Sequence, residues 1–269
     1  MLSLPSIALL AHLALASGSR SEPKPLTPAC SKPFDSFPFC NTSLSVDDRI
    51  EDLLKRIPDE TKPNLLTARG GPHGLQNYSE IGVPPYYFGT NCLHSVGAPC
   101  TPDGRCPTNF PSGPSMAATF DREVIKGAAD IVGRELRALY NLGVAKGLDC
   151  WGPVINLNRD PRWGRNGEGG SEDPFLMGQL AASWTEGFQQ GRAVDSAGYL
   201  QGVLTLKHYV ANSLDNTIVP DDITIDGQHY TKGSQVTRTN VNVDVPNYML
   251  QEYLAAFRSA AKAGAKGMM

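Results

Sequence analysis

A chain of 269 residues with 41% hydrophobic and 19% charged side chains can bury one large core or two smaller ones. Its net charge of −3, with no basic run anywhere, excludes nucleic acid as a partner and is silent on neutral ligands such as sugars. The 27 glycines and 21 prolines imply many loops and tight turns.

Residues 1–18 are apolar, rich in Leu and Ala, and end in Ala14-Leu15-Ala16-Ser17-Gly18, the pattern of a secretory signal peptide with a weak n-region. A membrane anchor needs about 20 apolar residues, more than this segment holds, and no later stretch is apolar enough to span a bilayer. The chain is therefore expected to be secreted, with no membrane partner. Residues 19–44 form a Pro-rich arm, predicted to be extended.

From Ser45 to Ile57 the apolar residues Val46, Ile50, Leu53, Leu54 and Ile57 recur at helical spacing and predict a helix with one inward face. An irregular stretch follows, with one apolar run at 85–90. Asp121 then reads as the cap of a long helix to Asn141, its stripe made by Ile125, Ala128, Ala129, Val132, Leu136 and Leu139 and its stop by Gly143. Residues 147–156 read as a strand that opens into a loop, 157–173. Asp173-Pro174 pairs an N-cap with Pro at the first helical position, and the helix runs to Gly191 with Leu176, Leu180, Trp184 and Phe188 inward. Residues 202–208 read as a strand, 246–262 as a helix with Leu250, Tyr253, Leu254 and Phe257 inward, and 266–269 as the opening of another strand.

Six cysteines agree with an oxidising compartment. Cys30 with Cys40 and Cys100 with Cys106 would close short loops, leaving Cys92 and Cys150, although sequence does not fix connectivity. No CxxC pair exists and the five histidines are not at ligand spacing, so neither a metal nor a cofactor is expected. Asn41-Thr42-Ser43 and Asn77-Tyr78-Ser79 are N-glycosylation acceptors, meaningful if the chain is exported.

Helix, strand and loop alternate from 45 to 269, which predicts a parallel α/β architecture in that span. A doubly wound sheet is the competitor, but no GxGxxG follows any of the strands. Eight βα units do not fit in this length, so the expected fold is an incomplete TIM-like (β/α)8 barrel.

The chemistry concentrates in 158–174, where three arginines, four carboxylates and Trp163 lie in a Gly-rich loop directly after an apolar strand. In a barrel this is the ligand-binding end. Arginine and carboxylate side chains grip hydroxyls through charge-assisted hydrogen bonds, and Trp163 offers an apolar face for a sugar ring. The plainer reading is a salt-bridge network that pins the loop, with Asp173 a helix cap.

The run Arg159-Asp160-Pro161-Arg162-Trp163-Gly164-Arg165, with Glu168 and then Glu172-Asp173-Pro174 at fixed spacing, resembles the signature of glycoside hydrolase family 3. The resemblance implies that Arg165 contacts hydroxyls of the sugar in the −1 subsite and that Arg162, Glu168 and Glu172 support the loop. Lys207-His208, at the end of the 202–206 strand, matches the family's Lys-His pair, both binding the same sugar. Neighbouring strand residues normally point to opposite faces, so this role requires irregular backbone there, such as a cis peptide. In Asn91-Cys92-Leu93-His94-Ser95 the family's acidic residue is replaced by Asn91, which still offers hydrogen bonds but no charge, and Ser95 stands for Gly. His94 reads as a structural histidine.

Lys207-His208-Tyr209 running into Ser213-Leu214-Asp215-Asn216 is similar to the secreted β-xylosidase/α-L-arabinofuranosidase branch. The resemblance implies an exo-acting, retaining O-glycosyl hydrolase acting on oligosaccharides or aryl glycosides in plant polysaccharide breakdown. Its alternatives are a β-glucosidase of the same family and a non-catalytic sugar-binding remnant. The family's nucleophile motif, Ser-Asp-Trp-like, and its acid/base glutamate are not found up to Met269. The expectation is that both lie beyond Met269 and that these residues alone are inactive.

Overall fold

A computed structural model describes residues 23–25, 27–66, 74–75, 77–192, 198–210, 212, 217–225, 227–236 and 246–269. The signal peptide and Ser213-Leu214-Asp215-Asn216 lie outside the described residues.

The centre is a four-stranded parallel sheet made of β3 (Thr90–Asn91), β4 (Asp149–Val154), β5 (Val203–Lys207) and β10 (Gly267–Met268). They lie side by side in chain order, each joined to the next through helix. These are α2 (Gly113–Ala117) and α3 (Arg122–Asn141), then α4 (Pro174–Gln189), then α5 (Asn247–Lys262). A doubly wound sheet reverses its strand order at a switch point, and this one does not, so the winding is the barrel's. Among the described residues the sheet is open, as expected of an incomplete barrel.

The predicted caps and stripes form. Asp121 accepts from the backbone N–H of Glu123 and Val124 and starts α3, and Asp173 Oδ1 accepts from Leu176 N at 2.7 Å and starts α4. Helix α4 packs between α3 and α5, and Met177, Leu180, Ala181, Trp184 and Phe188 on it are buried. Leu204 and Leu206 of β5 and Cys150 of β4 join that helical core. Because side chains alternate along a strand, Asp149 and Trp151 of β4 and Thr205 and Lys207 of β5 point to the other face.

Short antiparallel pairs lie off this sheet. Strands β1 (Gly74–Leu75) and β2 (Tyr86–Tyr87) pair, as do β6 (Thr217–Ile218) with β9 (Gln235–Val236) and β7 (Ile223–Ile225) with β8 (Gln228–Tyr230). Cys30–Cys40, Cys92–Cys150 and Cys100–Cys106 are disulfides, with Cα–Cα separations of 5.4, 5.4 and 4.1 Å.

Two expectations are corrected here. The Pro-rich arm is not extended in its described part. It turns repeatedly, carries a 3-10 turn at Pro38–Cys40 and is closed on itself by Cys30–Cys40. Helix α1 (Val46–Arg56) forms, but Val46, Ile50 and Leu54 on its apolar stripe are exposed. It is held instead by polar contacts to the 3-10 turn: Arg49 Nε donates to the Phe39 carbonyl, Asp52 accepts from Phe39 N, and the Arg56 guanidinium sits 4.0 Å above the Phe37 ring.

Candidate functional site

Parallel strands deliver their C-terminal ends to one edge, and the candidate side chains gather there from three successive strands. Asn91 ends β3, Lys207 ends β5 with His208 directly after it, and Arg165 hangs in the long loop that follows β4. The backbone irregularity expected at the Lys-His pair is present, since the Lys207–His208 peptide is cis.

Lys207 is 4% exposed, and its Nζ donates to Asn91 Oδ1 at 2.7 Å. The hydrogen bond to a neutral amide fixes where this buried amine points, at the C-terminal edge of the sheet. Arg165 makes a two-pronged pair with Glu168, at 2.9 Å from Nε to Oε1 and 2.7 Å from Nη2 to Oε2. Its remaining terminal nitrogen, Nη1, lies 3.4 Å from His208 Nε2. The hydrogen bonds from Arg165 hold the Glu168 carboxyl below its ordinary range; burial opposes this, and the charges of Arg165, Lys207 and His208 add to it. Four of the predicted residues, Arg165, Glu168, Lys207 and His208, therefore act on one another electrostatically, and Asn91 is tied to them through Lys207.

The loop that presents Arg165 is fastened at several points. Asn158 N donates to the Ser171 carbonyl at 3.0 Å, and Asn166 Nδ2 to the Asp160 carbonyl at 2.6 Å. The Arg159 guanidinium lies 3.9 Å above the Tyr253 ring, which ties the loop to α5. A Cβ on Gly113 would come within 2.6 Å of the Glu168 carbonyl, so glycine lets α2 press directly on the loop.

Arg162 serves the loop locally: it is exposed and pairs with Asp160, whose carboxyl its hydrogen bonds lower to about 2. Glu172 is exposed and makes no hydrogen bond to the other described residues, so nothing in the structure gives it a supporting role. Trp163 is 5% exposed, which corrects the expectation that its face is open to a sugar ring. Asp173 is the helix cap expected, and His94 is held through Nδ1 at 2.9 Å from the Phe110 carbonyl.

One contributor was not anticipated. Asn156, two residues past β4 and 4% exposed, accepts from His208 N and donates to the His208 carbonyl, both at 2.8 Å. It fixes the backbone of His208 from both sides. A polar residue amid Val154, Ile155 and Leu157 was the available signal. Deeper on the same face, the buried Asp149 accepts from Thr205 Oγ1 at 2.6 Å and Trp151 Nε1 at 3.2 Å, and its burial pushes its carboxyl up.

The arrangement sets an amine, a guanidinium, an imidazole, a carboxylate and an amide along one edge of the sheet, linked by hydrogen bonds among themselves. Comparison with known proteins identifies the family. Residues 82–219 match the description "Glycosyl hydrolase family 3 N terminal domain". Beta-xylosidase/alpha-L-arabinofuranosidase 1 of Medicago sativa subsp. varia is 38% identical over 186 residues, 67% of this chain and 23% of the relative. Among solved structures, a GH3 exo-beta-xylosidase in complex with a xylobiose aziridine activity-based probe superimposes with a TM-score of 0.62 at 31% identity, over 72% of this chain and 25% of that one. A beta-glucosidase from Kluyveromyces marxianus in complex with glucose gives 0.59 at 27% identity, over 82% and 22%. The chain thus spans about a quarter of the length of the relatives it matches.

Proposed function

The chain belongs to glycosyl hydrolase family 3, and from that premise we propose that its residues form the sugar-gripping part of an exo-acting, retaining β-xylosidase-like enzyme. The observation that carries this is the convergence at one sheet edge of Lys207, held at 2.7 Å by Asn91, and of Arg165, held by Glu168 with Nη1 3.4 Å from His208. Arg165, Lys207 and His208 hydrogen-bond the hydroxyls of a terminal pyranose, and Asn91 completes the ring of partners. Arg162 and Glu168 support the loop.

Hydrolysis with retention needs two carboxyl groups about 5–5.5 Å apart, one a nucleophile and one an acid/base. At this edge Glu168 is committed to Arg165, and a carboxylate locked in a two-pronged ion pair is a poor nucleophile and a poor proton donor. On this reading the edge built by Asn91, Arg165, Lys207 and His208 binds sugar, and Glu168 does not serve the cleavage. The substrate class is an oligosaccharide or aryl glycoside ending in β-linked xylose or arabinofuranose; a β-glucoside is the second reading, supported by the fit to the glucose-bound relative. Three disulfides favour an exported protein, and no helix among the described residues is long and apolar enough to cross a membrane.

Titration calorimetry with D-xylose tests the reading. Binding heat that disappears in Arg165→Ala, with the fold intact by circular dichroism, is expected. Equal heat in both proteins, or release of nitrophenol from an aryl β-xyloside by the purified chain, refutes it.

A further inference from the structure

Far from the sheet edge, the arm meets the turn between β1 and β2. The turn is closed by a two-way backbone bridge, Tyr78 N to the Val83 carbonyl at 2.9 Å and Val83 N to the Tyr78 carbonyl at 3.0 Å. Gly82 in it adopts φ +71°, and a Cβ there would fall within 2.6 Å of the Phe34 ring, so Phe34 of the arm packs directly on the turn. Beside this contact is a cavity of about 320 Å³ lined by Ser31, Lys32, Phe34, Asn77, Ser79 and Pro85. That is the low end for a small-molecule site, room for one sugar residue. Its walls combine an aromatic face and proline rings with hydroxyls and an amine, the mixture that suits a sugar ring.

Asn77 and Ser79 belong to both the cavity wall and the acceptor sequence Asn77-Tyr78-Ser79, and Asn77 is exposed. Three disulfides favour an oxidising compartment, the kind in which such acceptors are used. We infer that Asn77 is N-glycosylated and that its first N-acetylglucosamine seats in this cavity and clamps the arm to the β1–β2 turn. In the transfer, Asn77 Nδ2 bonds to C1 of a lipid-pyrophosphate-linked oligosaccharide, the C1–O bond breaks, the lipid pyrophosphate leaves with the bonding electrons, and one amide proton passes to a base of the transferase. The tether then holds the sugar at a high effective concentration against the wall, so weak contacts suffice. Asn41, the other acceptor, is exposed too and is absent from the wall of this cavity.

The test uses the chain secreted from a yeast host. Peptide mass spectrometry is expected to find hexosamine on Asn77. Trimming with an endoglycosidase that leaves one N-acetylglucosamine should keep the amides of residues 27–34 exchanging about fivefold more slowly than in Asn77→Gln. Ser79→Ala, which keeps Asn77 but destroys the acceptor, should match Asn77→Gln, whereas Ser79→Thr should keep both glycan and protection. An unoccupied Asn77, whatever the state of Asn41, overturns the inference. So does equal exchange of the arm in trimmed glycoprotein and in both glycan-free variants.

Discussion

Glu168→Gln asks how much of the sugar grip depends on the angle at which Arg165 is held. The wild-type carboxylate takes both prongs of the guanidinium, at 2.9 and 2.7 Å, with the two side chains 23% and 28% exposed. Glutamine keeps one acceptor and turns amide protons towards the other prong, so one charge-assisted bond is lost and a donor faces a donor. Hydrogen bonds to charged groups contribute roughly 1.5–3 kcal/mol when buried, and solvent-exposed ion pairs about 0–1. At this partial exposure the loss is about 1–2 kcal/mol, and if it is carried into the bound state D-xylose affinity falls roughly five- to thirtyfold. Titration calorimetry at neutral pH reads this directly. The sign with pH also follows. The folded Glu168 carboxyl lies below its unfolded value, so its contribution is present above the unfolded pKa and lost as pH falls through the folded one. The gap between variant and wild type should therefore close in acid. A folded Glu168→Gln protein that binds xylose as tightly as wild type at neutral pH refutes the view that Glu168 positions Arg165.

Asn156→Ala removes the two hydrogen bonds that Asn156 makes to the backbone N–H and carbonyl of the half-buried His208, each worth about 0.5–1.5 kcal/mol. Scanning calorimetry should show Tm lower by several degrees, and a shift under about 1 °C would deny the clamp. In Gly133→Ala the new methyl would sit 2.5 Å from the Phe188 carbonyl, a collision with backbone, so α3 and α4 must separate. Urea unfolding should report a loss of about 1–3 kcal/mol, and an unchanged midpoint counts against the close contact. Asp149 has its folded pKa raised by burial, so the stability it contributes is full below the unfolded value and lost as pH rises through the folded one. The stability of Asp149→Asn relative to wild type should accordingly improve between pH 4 and pH 7 in urea titrations; a flat difference would mean that Asp149 ionises as freely as in the unfolded chain.

What was legible in the sequence, and what was not, divides along the range of the forces involved. Caps at Asp121 and Asp173 and the stripe from Ile125 to Leu139 are local facts, since a side chain two or three residues from an amide finds it in any context. The exposure of Val46, Ile50 and Leu54 was not legible, because an amphipathic pattern records that a face is apolar and not that anything covers it. Trp163 was misjudged for the converse reason: a tryptophan among polar neighbours in sequence reads as accessible, and only the folded chain shows that it is buried. The strands between 217 and 236 are two or three residues long, shorter than any alternation that would announce them.

The site itself was legible although its residues are up to 117 positions apart, as Asn91 and His208 are numbered. In a singly wound parallel sheet each βα unit returns its strand to the same edge, so residues that share no local pattern still become neighbours if each ends its strand. Asn91 and Lys207 satisfy that condition, Arg165 reaches the same edge from the loop after β4, and the register that pairs Asn91 with Trp151 and Lys207 with Val154 brings the three strand ends together. Asn156 escaped because its part depends on what it does to the backbone of another unit, a relation that no spacing along the chain encodes. Topology gathered the candidate side chains. Hydrogen bonds between units then set their angles, which is why the sharpest tests fall on Glu168 and Asn156, two side chains that act through Arg165 and His208.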